Sequence, residues 1–200
     1  MSAHLRAAAG FTVLAAVAWV AAVQQMHGMD MGAATELGSF GFYGATWLLM
    51  MTAMMLPGAV PAVGRLGTES NAVILRFAVS YLAVWALVGV AVYAAYRPHG
   101  TTMAALITVA AGAYELTPLK RACRQRCREM VRSGSSFGTY CLGSSIGWMA
   151  MLLALGPMSV TWMAIVALIV SFQKLAPPAP VLDGLLALGI CGLGIALVFT

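Results

Sequence analysis

The chain has 200 residues, of which 62% are hydrophobic and only 8% are charged. Soluble domains carry roughly a quarter charged residues, so this composition excludes an ordinary water-soluble domain and predicts an integral membrane protein. The net charge of +5 does not indicate nucleic-acid binding, because the basic residues cluster as expected for one membrane face. The four cysteines are too few for a disulfide framework, and their spacing matches no standard zinc pattern.

Seven apolar segments approach or reach the length of about 17–25 residues that a helix needs to cross a bilayer. We therefore expect an all-α fold, a polytopic transmembrane helical bundle that forms a single membrane domain over residues 1–200. The expected spans are Leu5–Val23, Phe40–Val63, Ala72–Tyr96, Thr101–Leu119, Phe137–Leu155, Pro157–Phe172 and Pro180–Phe199. The sixth is short, and the proline-rich KLAPPAP joins it to the seventh, which leaves six or seven spans.

The first segment has two interpretations. The small residues Ala21 and Ala22 near its end are typical of a secretory cleavage site. Its charged start is weak, however, with Arg6 as the only basic residue. We therefore interpret it as a retained helix.

Basic residues predict the orientation, because short cytoplasmic loops are enriched in Lys and Arg. With the N-terminus in the cytoplasm, ten of the eleven basic residues fall inside and only Arg97 falls outside. The ten are Arg6, Arg65, Arg76, Lys120, Arg121, Arg124, Arg126, Arg128, Arg132 and Lys174. The pattern predicts an inner-membrane protein with its N-terminus in the cytoplasm and the loop 24–39 on the extracytoplasmic side.

That outer loop contains the sequence MHGMDMG. Met26, Met29 and Met31 with His27 offer thioether and imidazole ligands that suit copper, and Asp30 adds an oxygen ligand. The two glycines allow the backbone to wrap around an ion. The alternative is a solvated polar loop in which the methionines have no metal role.

Methionines also line one face of the second span, at the helical spacing i, i+3, i+4, i+7 and i+8. The residues of this face, which we call the methionine face, are Trp47, Met50, Met51, Met54 and Met55. Pro57 interrupts the helix and leaves the carbonyl of Ala53 without its helical partner. The face predicts either plain packing or a series of soft-metal contacts.

Glu115 lies in the last turns of the fourth span. An ionisable residue inside a span indicates a functional polar site that faces other helices. The alternative is a pair with Lys120 or Arg121 at the headgroups.

Three cysteines are predicted on the cytoplasmic side. Cys123 and Cys127 are spaced i, i+4 and so share a face of a helix, and Cys141 begins the fifth span. Nearby arginines favour the thiolate, which binds metal. Two thiolates suffice for copper(I) but do not complete a zinc site. Cys191 lies mid-span, where we expect a buried filler.

The basic run after the fourth span is interpreted as a topological anchor that contacts anionic lipid headgroups. Its residues are Lys120, Arg121, Arg124, Arg126, Arg128 and Arg132. In the fifth span, Gly143 and Gly147 form a GxxxG that predicts close helix contact within the protein or with a partner. The sequence has no metalloprotease, P-loop, dinucleotide or Ser/His/Asp pattern, so we do not expect an enzyme.

Three strings together resemble a bacterial family of predicted metal-binding integral membrane proteins of unknown function. They are MMTAMMLPGAVP, AGAYELTPLKRACRQRC and CLGSSIGWMAMLLALGPMSVTWMA, and the resemblance extends from about Trp47 to Lys174. It implies metal roles for Met50, Met51, Met54, Met55, Cys123, Cys127 and Cys141. The chain departs from the family pattern at four positions: Ser144 and Ser145 replace a cysteine pair, Phe137 a common histidine, and Gln173 a usual acidic residue.

These features predict a membrane protein that binds a soft metal, with copper as its cargo, and delivers or transports it. The outer loop would capture the ion, the methionine face would offer weak contacts, and the inner cysteines would receive it. Two alternatives remain open. One is a non-catalytic accessory subunit packed against a larger membrane metalloenzyme or transporter, and the other is a redox sensor that uses Cys123 and Cys127.

Overall fold

Helices account for nearly all of the chain that the computed structural model describes, which comprises residues 3–27, 36–66, 70–129, 133–157, 159–175 and 180–199. The α-helices of these ranges are α1 Ala3–Met26, α2 Phe40–Met55, α3 Val60–Arg65, α4 Asn71–Ala95, α5 Thr101–Glu115, α6 Pro118–Glu129, α7 Gly134–Leu155, α8 Val160–Leu175 and α9 Pro180–Ala196. A short 3₁₀ helix, Pro57–Ala59, connects α2 to α3. The expected all-α fold is confirmed for the described residues.

Fewer helices than the seven expected are long and apolar enough to cross a membrane by themselves. Among the described residues α1, α4 and α7 meet that condition, and the number rises to five if each of two bent helix pairs is one span. Helices α8 and α9 are apolar but have only 16 and 17 residues, short of the about 20 that a bilayer core requires. The orientation and the side of the outer loop stay predictions.

The two bent pairs have local causes in the sequence. Helices α2 and α3 meet at 47°, because Pro57 cannot donate a backbone hydrogen bond and starts the 3₁₀ turn. Helices α5 and α6 meet at 62°. Between them the Thr117 hydroxyl accepts from the Lys120 amide at 3.3 Å, and Pro118 occupies the first position of the new helix.

The chain divides into two compact units. Unit 1 comprises the described residues within 1–27, 37–96 and 126–142, and unit 2 those within 28–36, 97–125 and 143–200. In unit 1, α1 packs along α2 and α2 packs along α4. The face that α1 buries is made mostly of small side chains, which let helix backbones approach closely. Its residues are Ala7, Phe11, Ala15, Ala18, Ala22 and Met26.

Unit 2 is built around the packing of α5 along α9. A Cβ on Gly112 would lie 2.5 Å from the Cys191 sulfur, so only glycine allows this approach. The GxxxG glycines of α7 are used in the same unit. A Cβ on Gly143 would lie 2.5 Å from the Cys123 sulfur, and one on Gly147 would lie 3.2 Å from the Ala111 carbonyl. The motif therefore serves contacts within the protein.

One close approach in unit 1 generates a stability prediction. A Cβ on Gly89 would lie 2.5 Å from Cδ1 of Trp47, whose indole N–H donates to the Trp85 carbonyl at 2.8 Å. We expect Gly89→Ala to displace the indole and to lower the free energy of unfolding by about 1–3 kcal/mol. Thermal unfolding in detergent measures this. Gly44→Ala is the matched control, because no atom lies within 4 Å of the added carbon, and an equal effect of both changes would contradict the packing argument.

Candidate soft-metal site

The methionine face of α2 is turned into the protein. Met50, Met51, Met54 and Met55 are 3%, 0%, 1% and 0% exposed, and Trp47 is buried with them. Leu48, on the other side of the helix, is exposed, as expected for a lipid-facing residue. Four thioethers are therefore held in the interior of unit 1.

The C-terminal end of this face coincides with the break in the helix. The Ala59 amide donates to the Leu56 carbonyl at 2.9 Å in the 3₁₀ turn. The carbonyl of Met55 accepts a hydrogen bond from the hydroxyl of Tyr81, on α4, at 3.4 Å. A side chain of another helix thus caps a carbonyl at the point where the regular backbone bonding changes.

Cys141 on α7 completes a short hydrogen-bond relay. Its sulfur lies 3.2 Å from the Tyr81 hydroxyl oxygen, and both side chains are fully buried. Because the phenol has one proton and donates it to the Met55 carbonyl, the Cys141 thiol is the donor to the phenol oxygen. We call Cys141, Tyr81 and the Met55 carbonyl the thiol relay.

Cys127 lies beside the same aromatic residues. It is buried, and its thiol donates to the Phe137 carbonyl at 3.7 Å. The Phe137 ring packs against the rings of Tyr81 and Phe77, with centroids 5.2 and 5.6 Å away. Cys127 and Cys141 are thus both anchored to residues of one aromatic cluster in unit 1.

The donor set of unit 1 fits a soft ion. Thiolate and thioether sulfur select copper(I), which accepts low coordination numbers, whereas a structural zinc site requires four ligands such as cysteine and histidine. Within the described ranges, no group of three or more His, Cys, Asp or Glu side chains comes together. Unit 1 thus buries the thiols of Cys127 and Cys141 together with the thioethers of the methionine face.

The other candidate ligands are placed differently. Met26 ends α1 and is fully buried, while His27 is exposed just after it. Met29, Asp30 and Met31 lie outside the described residues. Cys123 belongs to unit 2, where it is half-buried and packs against Gly143.

The predicted polar site at Glu115 is part of a buried network in unit 2. Glu115 pairs with Lys120, and the Gln173 amide donates to the same carboxylate oxygen, Oε2, at 3.0 Å. Arg124 donates through Nη1 to Asp183 at 2.8 Å and through Nε to the Gln173 carbonyl at 2.9 Å. We call these five side chains the polar network.

The basic run is therefore divided. Lys120 and Arg124 are buried in the polar network, whereas the sequence analysis assigned them to lipid headgroups. Arg121 and Arg126 are exposed, and the Arg126 guanidinium lies 5.7 Å from the centroid of the Tyr140 ring. Arg128 is half-buried, with its carbonyl accepting from Arg65. Arg132 lies outside the described residues.

Residues 44–197 match the model of the PpoB2 family, which is described as a copper chaperone. The chain belongs to the PpoB2 copper chaperone family. The metal-related family expected from the sequence motifs is thereby confirmed at this level, and so is the link to copper. The PpoB2 match includes the methionine face, the thiol relay and the polar network, and it begins after the MHGMDMG loop. No curated protein and no solved structure matches the chain.

Sequence reasoning missed three residues of these clusters as candidate site residues. Asp183 could have been found, because it is an acidic residue inside an apolar segment, the same signal that identified Glu115. Gln173 was noted only as a departure from a family pattern. Tyr81 carried no signal, since a tyrosine within a span is ordinary and only the fold brings it to Cys141.

The thiol relay makes a testable prediction. Tyr81→Phe removes two buried hydrogen bonds, so we expect the free energy of unfolding to fall by roughly 1–3 kcal/mol. Denaturant titration in detergent measures the change. Tyr43→Phe is the matched control, because the Tyr43 hydroxyl is also buried but has no hydrogen-bond partner among the described residues. The relay would be refuted if both changes had the same small effect.

Proposed function

We propose that the protein binds copper(I) as cargo inside the membrane and hands it on to an acceptor. The observation that carries the proposal is the burial of four thioethers on one helix face that ends at the thiol relay. Membership of a copper chaperone family supports copper as the ion. The reaction is binding and transfer, with no bond of the cargo broken except those to its ligands.

The ligands suit an ion that must leave again. Thioethers are neutral and bind weakly, so a series of them provides contacts that a copper(I) ion can exchange. The cysteines bind more tightly, but only as thiolates, so copper binding releases a proton from each one. Once Cys141 has lost its proton it becomes an acceptor, and the Tyr81 hydroxyl is already within hydrogen-bonding distance of its sulfur.

We further propose that the outer loop captures the ion before it reaches the interior. Met29 and Met31 would provide soft ligands and the exposed His27 an imidazole, and the basic-residue pattern predicts that the loop lies outside the cytoplasm. Met26 is buried at the end of α1, so its role is at the entrance to the interior rather than in the solvated loop.

The accessory-subunit alternative stays a prediction without new support. Its sequence arguments were the apolar helices, the basic residues of the inner rim and the GxxxG of α7. Of these, the GxxxG residues Gly143 and Gly147 serve contacts inside unit 2. The exposed apolar side chains are equally expected on a surface that faces lipid.

Removing the buried sulfur ligands tests the binding site. We expect Cys127→Ser with Cys141→Ser, and separately Met54→Leu with Met55→Leu, to weaken copper(I) binding by roughly tenfold or more. Competition of the purified protein with a chromogenic copper(I) chelator measures the affinity. Cys191→Ser and Met103→Leu are matched controls, since Cys191 donates to the Val109 carbonyl in unit 2 and Met103 is exposed. Unchanged affinity in both ligand variants, or equal losses in the controls, would overturn the site.

The outer loop has its own test. We expect Met29→Leu with Met31→Leu to slow copper loading from the outside of sealed vesicles while leaving the affinity of detergent-solubilised protein for copper(I) unchanged, because the interior ligands remain. Metal analysis of the recovered protein over time measures loading. Met103→Leu is the matched control, because Met103 is an exposed methionine with no proposed part in the copper route. Near-zero copper in the wild-type and variant proteins alike would eliminate capture by the loop.

A further inference from the structure

The polar network of unit 2 contains no sulfur ligand, and its geometry points to a ligand other than copper(I). Glu115 is 0% exposed and Lys120 is 2% exposed. Burying such charges costs several kcal/mol per ion, which the attraction between them offsets only with good geometry and further hydrogen bonds. Arg124 and Asp183 form a second buried pair next to it. With all four groups ionised the network is neutral.

One oxygen of the Glu115 carboxylate takes no part in these hydrogen bonds. Lys120 and Gln173 both bond to Oε2, while Oε1 is buried without a hydrogen-bond partner among the described residues. A Cβ on Gly147 would lie 3.6 Å from Oε1, so α7 approaches this oxygen closely. A buried, unpaired carboxylate oxygen costs about 1–3 kcal/mol or more, and a proton can bind there without disturbing either bond to Oε2.

A small cavity adjoins the network. It has a volume of about 10 Å³, close to the room that one water molecule needs, and it is lined by Arg124, Ser144, Ser145, Val170, Gln173 and Lys174. Gln173 connects it to Glu115, and Ser144 lies one turn before Gly147 on the same face of α7. Lys174 is half-exposed at the end of α8, so the cavity extends from the buried Gln173 and Arg124 to a residue at the surface.

We propose that Glu115 is a proton-exchange site, which takes up a proton on Oε1 and returns it through water in the cavity beside Gln173. Uptake converts the carboxylate to the acid while Lys120 stays an ammonium, so the charge of the network rises from zero to +1. Release restores the neutral network. The proton comes from water and returns to it, and no other reactant is required.

The groups next to Glu115 come from three neighbouring helices. From α6 it meets the Lys120 ammonium, and from α8 it meets the Gln173 amide. From α7 the position of Gly147 lies next to Oε1. The Arg124 and Asp183 pair follows behind Gln173 and is neutral by itself.

Infrared titration of the copper-free protein in lipid nanodiscs tests this site. The chain has only six acidic residues, so ¹³C labelling of the glutamate carboxyls separates their signals from those of aspartate. We expect a protonated-carboxyl band that appears on acidification, shifts with the label and is absent in Glu115→Gln. Glu36→Gln, at an exposed position, should leave the band unchanged.

Two further variants keep the test decisive. If Glu115→Gln alone does not fold, the double change Glu115→Gln with Lys120→Met removes both buried charges, which is often tolerated. Survival of the labelled band in either variant, or no titrating band in the wild type, would overturn the site.

Ser144→Val fills the cavity, and we expect it to slow hydrogen–deuterium exchange of the Glu115 carboxyl by about tenfold, since exchange must then await local opening. Unchanged exchange would overturn the route.

Discussion

The hydrogen bond from Tyr81 to the Met55 carbonyl joins the main features of unit 1. An α-helix inside a membrane has to satisfy its backbone groups without water, and a proline removes one of the donors that would do so. The break after Met55 is therefore tolerated only where neighbouring side chains supply replacements. Here the phenol of Tyr81 bonds the Met55 carbonyl, which lies two residues beyond the Ala53 carbonyl that loses its donor to Pro57. The phenol also lies at hydrogen-bond distance from Cys141. The residue that stabilises the kink is the same one that holds a potential ligand at the end of the methionine face.

The aromatic cluster adds rigidity to this arrangement. Phe77, Tyr81 and Phe137 pack against one another, and Cys127 donates to the backbone of Phe137. Rings that pack in this way fix the side chains beside them at modest energetic cost. The buried sulfur atoms thus belong to a preorganised region.

The sequence predicted the helical regions and the chemistry of unit 1 better than its connections. The lengths of the apolar segments predicted the bounds of α4 and α7 to within a few residues. The spacing of the methionines predicted one shared face, which the structure buries. The breaks were harder, because the sharp bend before Pro118 depends on a threonine cap that composition does not reveal. The grouping of cysteines was also beyond the pattern, since i, i+4 spacing links Cys123 to Cys127 whereas the tertiary fold brings Cys141 to Tyr81. Long-range partners such as Asp183 for Arg124 are 59 positions apart and follow from packing alone.

The two units differ in the kind of cation that they can accept. Unit 1 offers neutral, polarisable sulfur in an apolar surrounding, which favours a soft ion such as copper(I). Unit 2 offers carboxylate oxygens, which prefer hard cations, together with two fixed cationic groups, Lys120 and Arg124. These two positive charges repel a metal ion. A proton escapes both restrictions, because it binds covalently to a single oxygen and needs no coordination shell. The proposed copper site and the proposed proton site are therefore built from different sets of buried residues.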